Sequence, residues 1–130
     1  MRFSSTVILQ RNSDLLLIKR ACEPFKGYWA LVGGAKRRIE NYSDCGIREV
    51  KEEVGIFLRG LKHVDVIIVI NELGEQVSQV FLAKITDNDL KDIRVGEEVL
   101  EAKLFSIAKL PEPIVPFHKE TIERYFLQHA

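Results

Sequence analysis

The chain has few cysteines and no long apolar run, and each shortage excludes a class of protein. Its two cysteines, Cys22 and Cys45, lack the spacing of a metal motif and are too few for a disulfide scaffold, which is typical of reduced thiols in the cytosol. The longest apolar runs cover five residues, as at positions 66–70, too few to cross a bilayer. The first residues lack the apolar segment of a secretion signal. We therefore expect a cytoplasmic protein with no membrane partner.

The chain also has no excess of charge of either sign. Lysine plus arginine numbers 19, and aspartate plus glutamate numbers 19. A balanced charge gives no overall electrostatic support to nucleic-acid binding, so we expect no nucleic-acid partner. The length of 130 residues is enough to bury a core, and no linker or repeat interrupts it. We expect a single domain over residues 1–130.

What the chain does have is a strongly patterned segment at residues 43–54. Ile47, Val50 and Val54 fall within about 60° of one another on a helical wheel and form an apolar stripe. Gly55 follows at the position where glycine commonly ends a helix. The pattern predicts an amphipathic helix that packs against the core.

Three glutamates of this predicted helix share one narrow face. At 100° per residue, Glu52 lies about 60° to one side of Glu49, and Glu53 lies about 40° to the other. Like charges at this spacing destabilise a helix by about 0.2–0.5 kcal/mol per pair, and a divalent cation would reverse the sign of that interaction. Carboxylate oxygens favour Mg²⁺, Mn²⁺ or Ca²⁺ over softer metals. The spacing therefore predicts a metal-dependent site.

The rest of the chain is predicted to form mainly β-strands. Apolar and β-branched runs predict strands at residues 3–10, 15–19, 28–32, 63–70, 77–85 and 100–106. Gly33 and Gly34 are expected to end the third strand, residues 71–75 to turn a hairpin, and residues 86–98 to form an acidic loop. A final helix is predicted at 116–128. Strands on both sides of a central helix, closed by a second helix, indicate a mixed α/β sandwich.

The segment at residues 34–56 resembles the Nudix box. That pattern specifies glycine, glutamate, an Arg-Glu pair, an aliphatic residue, a Glu-Glu pair, glycine and a final aliphatic residue at fixed spacings. Here every spacing is met, by Gly34, Glu40, Arg48, Glu49, Val50, Glu52, Glu53, Gly55 and Ile56. The resemblance implies a Nudix-type α/β/α sandwich with a mixed sheet, a catalytic helix at about 43–54 and a C-terminal helix at about 116–128.

The resemblance also implies an enzyme that hydrolyses a phosphoric anhydride. In this family a water attacks a phosphorus of a pyrophosphate bond while bound Mg²⁺ or Mn²⁺ screens the phosphate charge. By resemblance, the metal ligands are Glu49, Glu52, Glu53 and the carbonyl of Gly34. Glu40 and Arg48 are implied to form a supporting contact between the loop and the helix.

The resemblance leaves the general base open, because relatives use either a glutamate of the box or an acid on a later loop. Glu97 and Glu98 occupy the corresponding region here. We favour Glu98, which lies six residues before Leu104, a position where relatives often carry tryptophan. The predicted catalytic set is therefore Glu98 with the three glutamates of the helix. Ordinary solvent-facing charge is the alternative for the Glu97–Glu98 pair.

Five residues are candidates for contacts with the substrate. Arg20 could bind a phosphate, or it could be surface charge at a strand end. Trp29 could stack on a base, or it could belong to the core. Relatives often carry an acidic residue near position 37, where this chain has the three cations Lys36, Arg37 and Arg38. These cations either bind the outer part of the substrate or belong to a solvated loop.

The substrate follows only from resemblance. Residues 23–27 resemble the same stretch in ADP-ribose pyrophosphatases, so ADP-ribose or another nucleotide sugar is the first expectation, with Mg²⁺ as cofactor and Mn²⁺ as a substitute. The alternatives are a (d)NTP pyrophosphohydrolase that removes damaged nucleotides and a sensor that binds a nucleotide without hydrolysing it. Sensors usually lose glutamates of the box, and here all are present. Family members often dimerise, so the resemblance allows a homodimer, which the sequence does not establish.

Overall fold

The computed structural model of the chain describes residues 1–72 and 74–128. Its elements are β1 (Arg2–Arg11), β2 (Asp14–Arg20), β3 (Trp29–Ala30), β4 (Val32–Ala35), α1 (Tyr42–Val54), β5 (Lys62–Asn71), β6 (Gly74–Lys84), α2 (Asp87–Lys91), β7 (Val99–Ser106) and α3 (Pro116–Gln128). The strands form one sheet in the order β3-β2-β1-β6-β5, with β4 paired to β1 and β7 paired to β2. The sheet is mixed, because β1 runs parallel to β6 and antiparallel to β2 and β4.

The sheet separates two apolar cores, one under each long helix. Side chains alternate along a strand, so Val7 of β1 packs with Val50 of α1, whereas its neighbour Ile8 packs with Ile122 of α3. All of these side chains are fully or almost fully buried. This arrangement confirms the α/β/α sandwich with a mixed sheet.

Helix α1 has a defined start and stop. It begins at Tyr42, one residue before the predicted start, because the Asn41 side chain accepts a hydrogen bond from the Asp44 N–H at 2.7 Å and caps the first turn. Gly55 ends it with φ of 76° and donates its N–H to the Lys51 carbonyl at 3.0 Å, as predicted. Among the described residues, no helix has the length and apolar character needed to cross a membrane.

The predicted strand at 28–32 is wrong in its extent. Two short strands occupy this region, and the two glycines expected to end the strand lie inside β4, where Gly33 pairs with Thr6 and Gly34 with Ser5. A Cβ at Gly33 would lie 2.3 Å from the Ser5 carbonyl oxygen. Gly33 therefore permits close strand pairing where the sequence suggested a break.

The predicted loop at 86–98 is also wrong in part. Its first residues form α2, which begins with a capping box: the Thr86 hydroxyl accepts the Asp89 N–H, and the Asp89 carboxylate accepts the Thr86 N–H. The predicted hairpin turn connects β5 to β6, and Leu73 within it lies outside the described residues.

Candidate active site

Helix α1 and the segment before β7 enclose an acidic cavity. The cavity measures about 260 Å³ and is lined by Glu49, Glu52, Glu53, Gly96, Glu97 and Glu98. The predicted glutamates of the helix therefore meet the predicted loop acid at one place. Glu49 and Glu53 are buried, with 9% and 7% of their surface exposed, whereas Glu52 and Glu98 are exposed. Larger concavities lie near α3, but they hold no comparable group of carboxylates.

Arg48 connects most of the acidic residues of the box. Its Nε donates to Glu40 Oε2 at 2.9 Å, and its Nη2 donates to Glu40 Oε1 at 2.6 Å. Its Nη1 donates to Glu49 Oε1 at 2.8 Å and to Glu52 Oε2 at 3.1 Å. The hydrogen bonds from Arg48 lower the pKa of Glu40 to about 2. The same pairing raises the pKa of Arg48, mainly through the hydrogen bonds to Glu40 and to a smaller extent through the one to Glu49. The structure thus places Glu40 and Arg48 in a two-point contact.

Glu53 lies in a different environment. Its Oε2 accepts the Gly33 N–H at 3.0 Å. The pKa of Glu53 is raised to about 8, first by burial and then by the carboxylates of Glu49 and Glu98, while the Gly33 hydrogen bond acts in the opposite direction. Burial also raises the pKa of Glu49, against the opposing effect of Arg48. The interior end of the cavity therefore holds carboxyl groups whose ionised forms the protein compensates only in part.

Gly34 permits the close approach of strand β4 to the helix. A Cβ at this position would lie 2.4 Å from the Glu49 carboxyl carbon, so a side chain would displace that carboxylate. The Gly34 carbonyl accepts a weak hydrogen bond from the Cys45 thiol at 3.6 Å. Two residues that are predicted to supply metal ligands, Gly34 of β4 and Glu49 of α1, thus approach each other closely.

The donor set fits a hard divalent cation in its chemistry. Carboxyl groups line the cavity, and a cation there would stabilise the ionised forms of its buried members. Within residues 1–72 and 74–128, however, no three His, Cys, Asp or Glu side chains are already arranged to hold a metal. The reason is that Arg48 holds Glu49 and Glu52, while Glu53 turns to Gly33. A cation at this site would compete with Arg48 for two of its ligands.

Two of the four cationic candidates lie close to glutamates of this cavity. Arg20 is close enough to Glu53 for its charge to lower the pKa that burial raises, and its Nε donates to the Pro24 carbonyl at 2.8 Å. Arg37 pairs with Glu52 at 3.4 Å, and Lys36 lies over the Tyr42 ring at 5.6 Å from its centre. Arg38 is exposed.

Trp29 lies in the core beneath α3. Only 9% of its surface is exposed, and its ring packs edge-on against Phe105 with 4.7 Å between the ring centres. Little of the ring is left for stacking on a base. The core position that the sequence offered as the alternative is the one observed.

Two residues near the site were not assigned a role from the sequence. His118 is half-buried, its Nδ1 accepts the Leu31 N–H at 3.1 Å, and the loss of solvent around its ring lowers its pKa to about 3, so it connects α3 to the segment before β4 as a neutral group. Gly96 contacts the backbone of α1. The sequence carries no periodic signal for either, since both contacts join segments far apart in the chain.

Fold and site together define a hydrolase that acts on pyrophosphate bonds. The family model of the NUDIX domain matches residues 1–125, and the chain belongs to the Nudix hydrolase family. The ADP-ribose pyrophosphatase of Methanocaldococcus jannaschii is 32% identical over 120 residues, which cover 91% of this chain and 69% of that protein.

Two further comparisons agree with this assignment. The human 8-oxo-dGDP phosphatase NUDT18 is 31% identical over 110 residues, which cover 83% of this chain but only 33% of that longer protein. The crystal structure of a MutT NUDIX hydrolase from Burkholderia pseudomallei superimposes with a TM-score of 0.84 at 28% identity, covering 94% of this chain and 95% of the other. Hydrolases of this family generally use divalent metals.

Proposed function

We propose that this chain is an Mg²⁺-dependent pyrophosphohydrolase that cleaves the diphosphate bond of ADP-ribose or another nucleotide sugar. The observation that carries the proposal is the acidic cavity, in which buried carboxylates of α1 face the segment at residues 96–98. The identity of 32% with an ADP-ribose pyrophosphatase supports this class of substrate. A diphosphate is itself anionic, so this cavity can receive one only together with cations.

The proposed metal ligands are Glu49, Glu52, Glu53 and the Gly34 carbonyl, with Mn²⁺ as a substitute for Mg²⁺. A divalent cation held there would screen the phosphate charge and lower the pKa of a nearby water. Arg48 keeps Glu49 and Glu52 at the cavity, and Glu40 in turn fixes Arg48 by two hydrogen bonds. The Gly33 N–H orients the Glu53 carboxylate through Oε2.

The proposed general base is Glu98. It is exposed at the rim of the cavity, so its carboxylate can accept a proton from an attacking water and return it to solvent. Glu49 and Glu53 are less suitable, because both are buried and face other groups of the protein.

The proposed substrate contacts are cationic. Arg20, whose positive charge acts on the buried Glu53, would bind a phosphate oxygen. Lys36, Arg37 and Arg38 lie on the loop between β4 and α1, where they would bind the outer phosphate or the group attached to it. The proposal does not use Trp29, which lies in the core.

A second candidate function is the hydrolysis of oxidised or other non-canonical nucleotides. It is favoured by the identity of 31% with a phosphatase of 8-oxo-dGDP. The same carboxylates would serve both reactions, so the difference lies in the group that the enzyme accepts beyond the diphosphate.

A release assay separates these functions. The enzyme is incubated with Mg²⁺ and ADP-ribose, nucleotide sugars, or ordinary and oxidised nucleotides, with and without alkaline phosphatase. Phosphate that is released from ADP-ribose only after phosphatase treatment is the expected result, since both products are monophosphates. Release of pyrophosphate from triphosphates, or of phosphate directly from 8-oxo-dGDP, would favour the second function. Glu53→Gln is the inactive control, and Glu123→Gln, on α3 across the sheet, is the matched exposed control.

A further inference from the structure

The segment before β7 is bound to the last turn of α1 through its backbone. The Arg94 N–H donates to the Val54 carbonyl at 3.0 Å, and the Gly96 N–H donates to the Glu53 carbonyl at 3.0 Å. Carbonyls in the last turn of a helix have no partner within that helix. The segment therefore supplies partners for two carbonyls at the end of α1. One of these carbonyls belongs to Glu53, which also carries the buried carboxylate.

No side chain fits at Gly96 in this arrangement. A Cβ there would lie 2.4 Å from the Glu52 carbonyl oxygen and 3.4 Å from its carbonyl carbon. Both are backbone atoms of a helix, so a side chain would have to push the segment away from α1. The backbone of Gly96 is outside the left-handed region, and the requirement for glycine here comes from the close approach alone.

The other end of the segment is bound to β2. The Ala21 N–H donates to the Glu98 carbonyl at 3.0 Å, and Val99 pairs with Arg20 where β7 begins. Glu98 is thus held between a contact with α1 and a contact with β2. The side chain of Glu98 lines the acidic cavity together with Glu49 and Glu53.

We propose that Gly96 is a positioning residue for the hydrolytic site: its missing side chain lets residues 94–98 contact α1, and this contact holds Glu98 in the acidic cavity. The inference rests on the proposed function, in which Glu98 is the general base. A long exposed glutamate has many rotamers, so fixing its backbone is the way in which this chain limits where the carboxylate can go.

The test combines Gly96→Ala and Glu98→Gln in a double-mutant cycle. Gly60→Ala is the matched control, since a Cβ at Gly60 meets no atom within 4 Å and its backbone is outside the left-handed region. We expect Gly96→Ala to lower kcat for ADP-ribose about 10- to 100-fold with little change in KM. In the Glu98→Gln background it should lower kcat no further, because the group that it positions is already lost. Equal losses in both backgrounds, or normal kcat in Gly96→Ala, would overturn the proposal.

Mg²⁺ titration calorimetry on the same variants makes the test independent of turnover. Glu98 is not a proposed ligand, but its negative charge lines the same cavity, so Gly96→Ala should weaken Mg²⁺ binding by up to about tenfold and should add nothing to the loss in Glu98→Gln. If no substrate were hydrolysed by the wild type while this pattern held, the proposed function would fail and the positioning role would stand. If Gly96→Ala changed kcat and Mg²⁺ affinity while Glu98→Gln changed neither, the role of Glu98 in both proposals would be wrong.

Amide hydrogen exchange in the wild-type protein covers the case in which Gly96→Ala does not fold. The Arg94 and Gly96 amides donate to helix carbonyls and should exchange slowly. Exchange at the rate of a free amide at both positions would mean that the segment does not stay on α1, and the positioning role would be wrong.

Discussion

Glu40 and Glu53 belong to the same sequence box but lie in opposite electrostatic environments. Glu40 receives two hydrogen bonds from Arg48, at 2.6 and 2.9 Å, and these lower its pKa to about 2. Glu53 is almost completely buried and accepts one backbone N–H, and burial raises its pKa to about 8. One carboxylate has its counter-ion within the protein, and the other lacks sufficient compensation.

This difference indicates that two glutamates of the same box have different roles, one in holding the fold and the other in the acidic cavity. Removing the charge of a glutamate that an internal arginine matches destabilises the fold, because the arginine loses its partner, and such a glutamate has little to gain from an external cation. A buried glutamate that is held near other carboxylates destabilises the protein unless a proton or a cation joins it. Substitutions by glutamine, which keep the shape and remove the charge, should therefore act in opposite directions on the stability of the metal-free protein.

The largest effect should follow from Glu53→Gln. We expect the hydrolysis of ADP-ribose to fall at least about 100-fold, because a group that stabilises charge at the reacting centre is lost. The metal-free protein should unfold at a higher temperature at pH 8, since a buried charge is removed while the amide oxygen can still accept the Gly33 N–H. Assays and thermal melts in EDTA measure the two effects. Unchanged activity together with unchanged Mg²⁺ affinity would mean that the site is elsewhere.

Saturating Mg²⁺ should stabilise the wild-type protein. At a concentration 100 times the dissociation constant, a ligand that binds only the folded state adds about 2.7 kcal/mol to the free energy of unfolding. The rise in melting temperature should be larger at pH 8 than at pH 6, because protons compete with the cation at Glu53. Glu53→Gln should lose most of this rise, and Glu123→Gln should keep it. No rise at any Mg²⁺ concentration would argue against a cation at the acidic cavity.

Glu40→Gln should destabilise the metal-free protein, the reverse of Glu53→Gln. Arg48 would lose a two-point charged contact in a half-buried position, which is worth about 1.5–3 kcal/mol. Urea unfolding in EDTA at pH 7 measures the loss, with Glu123→Gln as the exposed control. Activity should fall less than in Glu53→Gln, because Arg48 keeps its bonds to Glu49 and Glu52. Equal stability of Glu40→Gln and wild type would remove the contrast between the two glutamates.

The sequence predicts the helix and its acidic face because both depend on spacing along one element. The apolar stripe of α1 and the common side of Glu49, Glu52 and Glu53 follow from 3.6 residues per turn, and the stop at Gly55 follows from the left-handed conformation that glycine adopts at a helix end. Matching of the family box then identifies the chemistry, because the box specifies all three glutamates of the acidic face and the glycine that ends the helix.

Spacing cannot give the contacts that join distant segments or choose side-chain rotamers. The hydrogen bonds of Arg48 to Glu49 and Glu52 depend on rotamers, and they explain why the carboxylates are not already arranged around a cation. The contact of Gly96 with α1 depends on how residues 94–98 cross the helix end. The division of the strand at 28–32 depends on Gly33 approaching β1, which only the folded sheet determines.

The smallest effect that sharpens the comparison is the pH dependence of stability without metal. The folded pKa of Glu53 is above its ordinary value of 4.5, so the folded state retains a proton that the unfolded state loses, and stability falls as pH rises from 4.5 through about 8. Glu40 has the opposite sign: its folded pKa is below 4.5, and its contribution is present above 4.5 and lost as pH falls towards 2. Between pH 7 and 8 the free energy of unfolding of the wild type should fall by less than about 1.4 kcal/mol because of Glu53, and that of Glu53→Gln should not show this fall. Urea unfolding in EDTA between pH 7 and 8 measures how the free energy of unfolding of the wild type and of Glu53→Gln changes with pH. Parallel slopes for these two proteins would show that the Glu53 carboxylate is already ionised in the folded state.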